Sequence, residues 1–182
     1  IVSLGSCFAQ NIAQLLDKAK FNIVSSPTGI LFNPASIATA IADMHNNKEL
    51  RREELVELNG RWVSYDFHSS ISGATPDEAL HIMQSARECG AKHISEAEHL
   101  IITLGTAWVY SLNADERIVA NCHKQPARLF TRRLLTVEEI VRYLSDIASK
   151  TSAQIILTLS PVRHIGEGLV DNSLSKALLR VA

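Results

Sequence analysis

The sequence lacks a surplus of either charge and any long apolar run. Its 18 basic and 19 acidic residues give a net charge of −1, so no basic surface for nucleic acid or an anionic membrane is indicated. The longest apolar runs fall well short of the roughly 18 residues that a membrane span requires. We therefore expect neither a nucleic-acid partner nor a membrane span.

Cysteines are also scarce. Cys7, Cys89 and Cys122 are an odd number at long, irregular spacings, which is typical of reduced thiols in a cytoplasmic protein rather than of a disulfide framework. There is no Cys-x-x-Cys pair, and Cys122 next to His123 has no partners at metal-ligand spacing. No signal peptide is visible at the start. We expect no metal, no cofactor and a cytoplasmic location.

The two ends of the sequence look cut. No Met precedes Ile1, and the last residues, NSLSKALLRVA, have the pattern of a helix still in progress. We expect a fragment that lacks its C-terminal part. Its length and its 46% apolar content suit one domain over residues 1–182.

Short apolar strands alternate with helical patterns along most of the chain. The strands are predicted at residues 1–4, 21–26, 99–105 and 153–162, the last two reading as buried on both faces. Capping signals at Asn33, Thr75 and Thr136 predict helix starts. This alternation predicts a three-layer α/β/α sandwich with a mainly parallel sheet. Residues 48–74 read as an irregular excursion with a short strand pair, and 107–122 as an appended hairpin.

Polar residues follow each predicted strand, where ligands of parallel sheets bind. Ser6 follows the first strand and precedes a helix, so it is either a nucleophile or only a helix cap. The N–H groups that open the helix can stabilise an oxyanion. Cys7 is a rival nucleophile, since a helix N-terminus favours thiolate, but it also suits a small buried hydrophobe.

Arg163 and His164 follow the last predicted strand. They can clamp an anionic group of a substrate, because arginine binds carboxylate and phosphate in a bidentate way. Alternatively, Arg163 pairs on the surface with Glu167 or Asp171. In the irregular segment, Asp66 and His68 can supply a carboxylate–imidazole pair or lie exposed in a loop.

Five blocks of the sequence, in order, resemble the GSCFA domain family, which is grouped with the SGNH (GDSL-like) hydrolases. They are LGSCFAQNIAQLL, SSPTGILFNP, LGTAWVY, ANCHKQPA and LTLSPVRHIGEGLVDNSLSKALL. The resemblance implies a flavodoxin-like fold. It also implies that Ser6 attacks an ester carbonyl and that the Gly29 N–H contributes to the oxyanion hole.

The sequence departs from the superfamily pattern at two places. Thr106 rather than asparagine follows shortly after Gly105, so Asn121, with His123 beside it, is the substitute oxyanion or substrate-binding group. No Asp-x-x-His occurs after Ser160, so the catalytic base is either His164 or a residue outside this sequence.

These observations predict a serine-dependent hydrolase or acyltransferase that acts on a small-molecule, carbohydrate or lipid ester. The alternative is a non-catalytic module that binds an anionic or acylated ligand in the same cleft. The sequence predicts neither the exact substrate nor the oligomeric state.

Overall fold

The structure, a computed structural model, describes residues 1–163 and 168–182. Its central sheet is built from four parallel strands, which lie side by side in the order β2 (Val24–Ser25), β1 (Val2–Gly5), β5 (His99–Leu104) and β9 (Gln154–Leu159). All four carboxyl ends therefore lie at one edge of the sheet, as the prediction of a functional site there requires.

Helices flank this sheet: α1 (Cys7–Lys18), α2 (Pro34–His45), α3 (Pro76–Ser95), α4 (Val137–Ala148) and α5 (Leu169–Val181). Helix α1 packs against β1, β2 and β5, whereas α2 packs against α3 and α4. Helix α5 contacts α4 and β9. The predicted three-layer α/β sandwich with a mainly parallel sheet is confirmed. Within the described ranges, no helix has the length and apolarity needed to cross a membrane.

The predicted capping residues begin three of the helices. The side chains of Asn33, Thr75 and Thr136 each accept a hydrogen bond from the backbone N–H three residues later. Each bond satisfies one of the donors that a helix start leaves unpaired. At Thr136 the reciprocal hydrogen bond, from the Thr136 N–H to the Glu139 carboxylate, completes the predicted capping box.

Among the described residues, two antiparallel sheets lie outside the central one. The irregular segment contains β3 (Val56–Leu58) and β4 (Arg61–Val63), so the predicted short strand pair is confirmed. The predicted hairpin is formed by β6 (Trp108–Leu112) and β7 (Ile118–Val119). An unpredicted strand, β8 (Phe130–Leu134), pairs with the other side of β6.

The prediction that the last strand is buried on both faces is wrong. Among the described strands, β9 lies at the edge of the central sheet, and Ile156 and Leu157 are 41% and 51% exposed. By contrast, Leu4, Leu100 and Ile102 in the inner strands are fully buried. An apolar run predicts burial, but it does not encode the position of its strand in the sheet.

Candidate functional site

Ser6 lies in a tight turn between β1 and α1. Gly5, just before it, has φ +135°, and a Cβ at this position would collide with the carbonyl oxygen of Thr103 on β5. Only glycine fits such a close approach in this conformation. Gly5 therefore lets the chain turn directly from the strand into the helix, with Ser6 at the helix start.

The side chain of Ser6 does not cap α1. Ser6 occupies the N-cap position, but its hydroxyl makes no capping hydrogen bond, unlike those of Asn33, Thr75 and Thr136. The residue is 1% exposed, and Oγ has no hydrogen-bond partner among the described residues. The interpretation of Ser6 as only a helix cap is thus not supported by the geometry.

The two backbone groups predicted as oxyanion donors already have acceptors. The Ser6 N–H donates to the Thr103 carbonyl at 3.1 Å, and the Gly29 N–H donates to the Ser26 carbonyl at 2.7 Å. Each N–H supplies a single hydrogen. Their role in an oxyanion hole stays a prediction, and it requires both hydrogen bonds to be exchanged for bonds to substrate.

Gly29 lies directly beneath His68. It has φ +85°, and a Cβ there would collide with the Cβ of His68. The His68 N–H donates to the Thr28 carbonyl at 3.2 Å, which holds the two loops together. The segment SSPTGILFNP, which contains Gly29, therefore packs against the His68 side chain of the irregular segment.

A cavity of about 420 Å³ lies beside this cluster. His68, Thr106 and Asn121 line it. Aromatic residues from the loop that precedes α2 and from the three-stranded sheet of β6, β7 and β8 line it as well. Gly105 lies between the cavity wall and Ser6. A Cβ added to Gly105 would lie 3.3 Å from Ser6 Cβ and 3.1 Å from Cδ1 of Phe32, which lines the cavity. Ser6 after β1 and Gly105 after β5 thus lie side by side, and Gly29 after β2 contacts His68 of the cavity wall.

Asn121 is held in a fixed orientation at the cavity wall. Its Oδ1 accepts the His123 N–H at 2.8 Å, and its Nδ2 donates to Ser69 Oγ at 3.1 Å. A carboxamide nitrogen carries two hydrogens. One N–H of Asn121 therefore remains for a substrate or an oxyanion.

His123 forms a second polar contact with the same loop. Its Nε2 lies 2.8 Å from the Ser64 carbonyl oxygen, so Nε2 carries a hydrogen and donates it. Nδ1, 3.3 Å from Ser69 Oγ, can then accept the Ser69 hydroxyl hydrogen when the ring is neutral. Among the described residues, this histidine thus contacts Ser69 rather than Ser6.

Burial favours the neutral form of both histidines at the site. It lowers the pKa of His68, and it is also the main reason that the pKa of His123 is lowered. The hydrogen bond to Ser64 opposes that shift for His123, and the neighbouring charge of His68 adds to it. A lowered pKa leaves an imidazole free to accept a proton at neutral pH.

The cysteine near the cavity is an unreactive thiol. Burial raises the pKa of Cys122 to about 11, so the thiolate is scarce at neutral pH. Cys7, the predicted rival nucleophile, is the first residue of α1 and is half-buried. Within the described part of the chain, no group of three or more His, Cys, Asp or Glu side chains is placed to hold a metal ion.

The contribution of α5 to the site was not predicted from the sequence. Lys176 Nζ donates to the Gly105 carbonyl and, at 2.8 Å, to the Ser160 carbonyl. The Ser175 hydroxyl accepts the N–H of Ala107 at 2.7 Å. The signal was present, because Asn172, Ser175 and Lys176 have the i, i+3, i+4 spacing of a single helix face.

The structure describes only some of the residues that follow β9. Arg163 is exposed and does not line the cavity. Asp171, one of its predicted surface partners, pairs with Arg132 at 3.2 Å. His164, predicted as a catalytic residue, and Glu167 lie outside the described residues.

The predicted carboxylate–imidazole pair of the irregular segment does not form. The Asp66 carboxylate accepts a hydrogen bond from Arg117 at 2.7 Å, whereas His68 Nδ1 lies 2.9 Å from Ser70 Oγ.

Comparison with known proteins adds one finding to this geometry. Neither a curated protein nor a solved structure matches the chain. The model of the GSCFA family matches residues 1–182, the whole of the sequence, as the five blocks around Ser6, Gly29, Gly105, Asn121 and Ser160 led us to expect. The chain belongs to the GSCFA family.

Proposed function

We propose that the protein is a serine-dependent hydrolase or acyltransferase that acts on an ester or acyl group, with Ser6 as the nucleophile. The observation that carries this proposal is the Ser6 hydroxyl at the start of α1, which has no hydrogen-bond partner among the described residues. A buried polar group without a partner is costly and calls for an explanation. Reaction with a substrate carbonyl is such an explanation, since no capping bond uses the hydroxyl.

The surroundings of Ser6 suit acyl transfer. The positive end of the α1 dipole faces the position where negative charge develops during attack on a carbonyl. Asn121 contributes a fixed N–H from the neighbouring cavity. A preorganised donor of this kind is typically worth about 2.7–4 kcal/mol in the transition state.

Two steps of the proposed mechanism require local movement. Ser6 is 1% exposed, so the wall formed by Gly105 and Phe32 has to open before a substrate reaches Oγ. The Ser6 and Gly29 N–H groups then exchange their backbone acceptors for the oxyanion. The general base is assigned either to His164 or to another residue that the structure does not describe.

The test is a pair of serine variants assayed in the full-length protein with p-nitrophenyl acetate. Ser3→Ala is the matched control, because Ser3 is also 1% exposed and its hydroxyl is also unpartnered. We expect Ser6→Ala to abolish turnover and Ser3→Ala to retain it, with both variants folded. Normal turnover by Ser6→Ala would disprove the assignment.

A second candidate function is a non-catalytic module that binds an anionic or acylated ligand in the same cleft through backbone N–H groups, Arg163 and His164. The burial of Ser6, which is 1% exposed, favours it, because a hydroxyl closed off from the cleft does not attack a substrate. This candidate predicts saturable ligand binding with no product after long incubation. We also propose a cytoplasmic location, which the three free cysteines support.

A further inference from the structure

The cavity beside Ser6 combines aromatic rings with carboxamides. Its volume of about 420 Å³ lies within the range of small-molecule sites, ~300–1,000 Å³. Four aromatic residues line it: Phe32, Trp108, Tyr110 and Phe130. Three carboxamides line it as well: Asn33, Asn121 and Gln125.

The carboxamides present unused hydrogen-bonding groups. Asn33 uses Oδ1 to cap α2, at 2.8 Å from the Ser36 N–H, and its Nδ2 donates to no other described residue. Asn121 keeps one N–H after its bonds to Ser69 and His123. A ligand in the cavity is therefore met by donors as well as by apolar surface.

The described lining contains no Asp, Glu, Lys or Arg side chain. A charged ligand would thus lose its hydration without gaining an opposite charge, which is strongly unfavourable. The lowered pKa of His68 and the raised pKa of Cys122 keep these two lining groups uncharged at neutral pH. The lining is complementary to a neutral ligand.

Among neutral ligands, a sugar ring matches both features of the lining. Its faces carry C–H groups that pack on aromatic side chains, and its edge carries hydroxyls that both donate to and accept from carboxamides. An acyl chain would cover the aromatic surface but leave the carboxamides without partners, which costs free energy.

From this lining we infer that the cavity binds a carbohydrate ring, and, resting on the proposed function, that the substrate is a carbohydrate ester whose acyl group reaches Ser6. The Gly105–Phe32 wall places the cavity next to Ser6. Ser6 Oγ forms a bond to the acyl carbon, and the bond from that carbon to the sugar oxygen breaks. The sugar oxygen takes up the proton that Ser6 loses. Water then releases the acid from Ser6.

Binding is measured by calorimetry in the Ser6→Ala protein, so that turnover does not interfere. The probes are methyl glycosides of a pentopyranose and a hexopyranose. Adenosine and hexanoate are tested separately, as representatives of other ligand classes. Gln125→Leu removes a cavity carboxamide at similar size. Gln14→Leu, the same change on the exposed surface of α1, is the matched control.

We expect saturable binding of at least one glycoside, weakened at least tenfold by Gln125→Leu and unaffected by Gln14→Leu. Absence of glycoside binding, equal affinity in both glutamine variants, or binding of adenosine or hexanoate alone would overturn the inference. If a glycoside binds but the protein with Ser6 intact shows no Ser6-dependent turnover of p-nitrophenyl acetate, the hydrolase proposal is refuted and the carbohydrate site stands.

Discussion

Gly5 offers a quantitative test of the turn that presents Ser6. In Gly5→Ala the new Cβ would collide with the Thr103 carbonyl oxygen, and the residue would have to keep φ +135°. Neither the collision nor the dihedral angle is easily relieved, because Gly5 is paired in register with Thr103 and the Ser6 N–H is bonded to the same carbonyl. We therefore expect this substitution to disrupt the strand end itself.

The cost has two parts. A side chain in a backbone conformation reserved for glycine costs about 1–3 kcal/mol, and overpacking against a rigid neighbour costs about 1–3 kcal/mol more. The sum is centred near 4 kcal/mol, and each kcal/mol lowers Tm by about 2–4 °C in a chain of this length. Gly5→Ala should thus lower Tm by roughly 8–16 °C.

Gly60→Ala is the control for the backbone part alone. Gly60 has φ +73°, but a Cβ there meets nothing within 4 Å. Its cost is the left-handed conformation only, about 1–2 kcal/mol. Thermal unfolding followed by circular dichroism compares the two variants. Equal losses of Tm would refute the argument that close packing against Thr103 fixes this turn.

Other features of the structure give further predictions. Asp43→Asn removes the charge that faces the guanidinium of Arg87, whose side chain is 4% exposed and lies 2.6 Å away, so the free energy of unfolding in urea should fall by about 3–5 kcal/mol; a loss below about 1 kcal/mol would contradict this. Lys176→Met leaves two strand-end carbonyls without their ammonium donor, and the same assay should show a loss of about 2–3 kcal/mol, whereas an unchanged midpoint would not fit. Because the pKa of Cys122 is raised to about 11, roughly a thousandth of it is thiolate at pH 8. Its iodoacetamide labelling, read by mass spectrometry, should lag far behind that of exposed Cys89 and rise until about pH 11; equal rates at pH 8 would be inconsistent with its burial.

Much of the architecture follows from local signals in the sequence. The capping side chains of Asn33, Thr75 and Thr136 act over three residues, so the information for these helix starts is contained in a short segment. The turn that carries Ser6 was predicted for the same reason, since a glycine-containing turn between a strand and a helix is a local pattern. The alternation of strands and helices then determined the layers.

The features that were predicted wrongly, or not predicted at all, depend on contacts between distant segments of the chain. Ile156 and Leu157 read as buried, but their exposure depends on where β9 lies in the sheet. The occupation of the Ser6 and Gly29 N–H groups depends on carbonyls of other segments. The helix face that carries Lys176 is visible in the sequence, but its contacts are not, because the Gly105 and Ser160 carbonyls follow two different strands.

The most direct test of the central claim is covalent labelling of the complete native chain with a fluorophosphonate probe, followed by mass spectrometry of the modified peptide. We expect modification at Ser6 that is lost in Ser6→Ala and kept in Ser3→Ala. An unlabelled Ser6 in the folded protein, or labelling of Ser69 beside His123 instead, would contradict it.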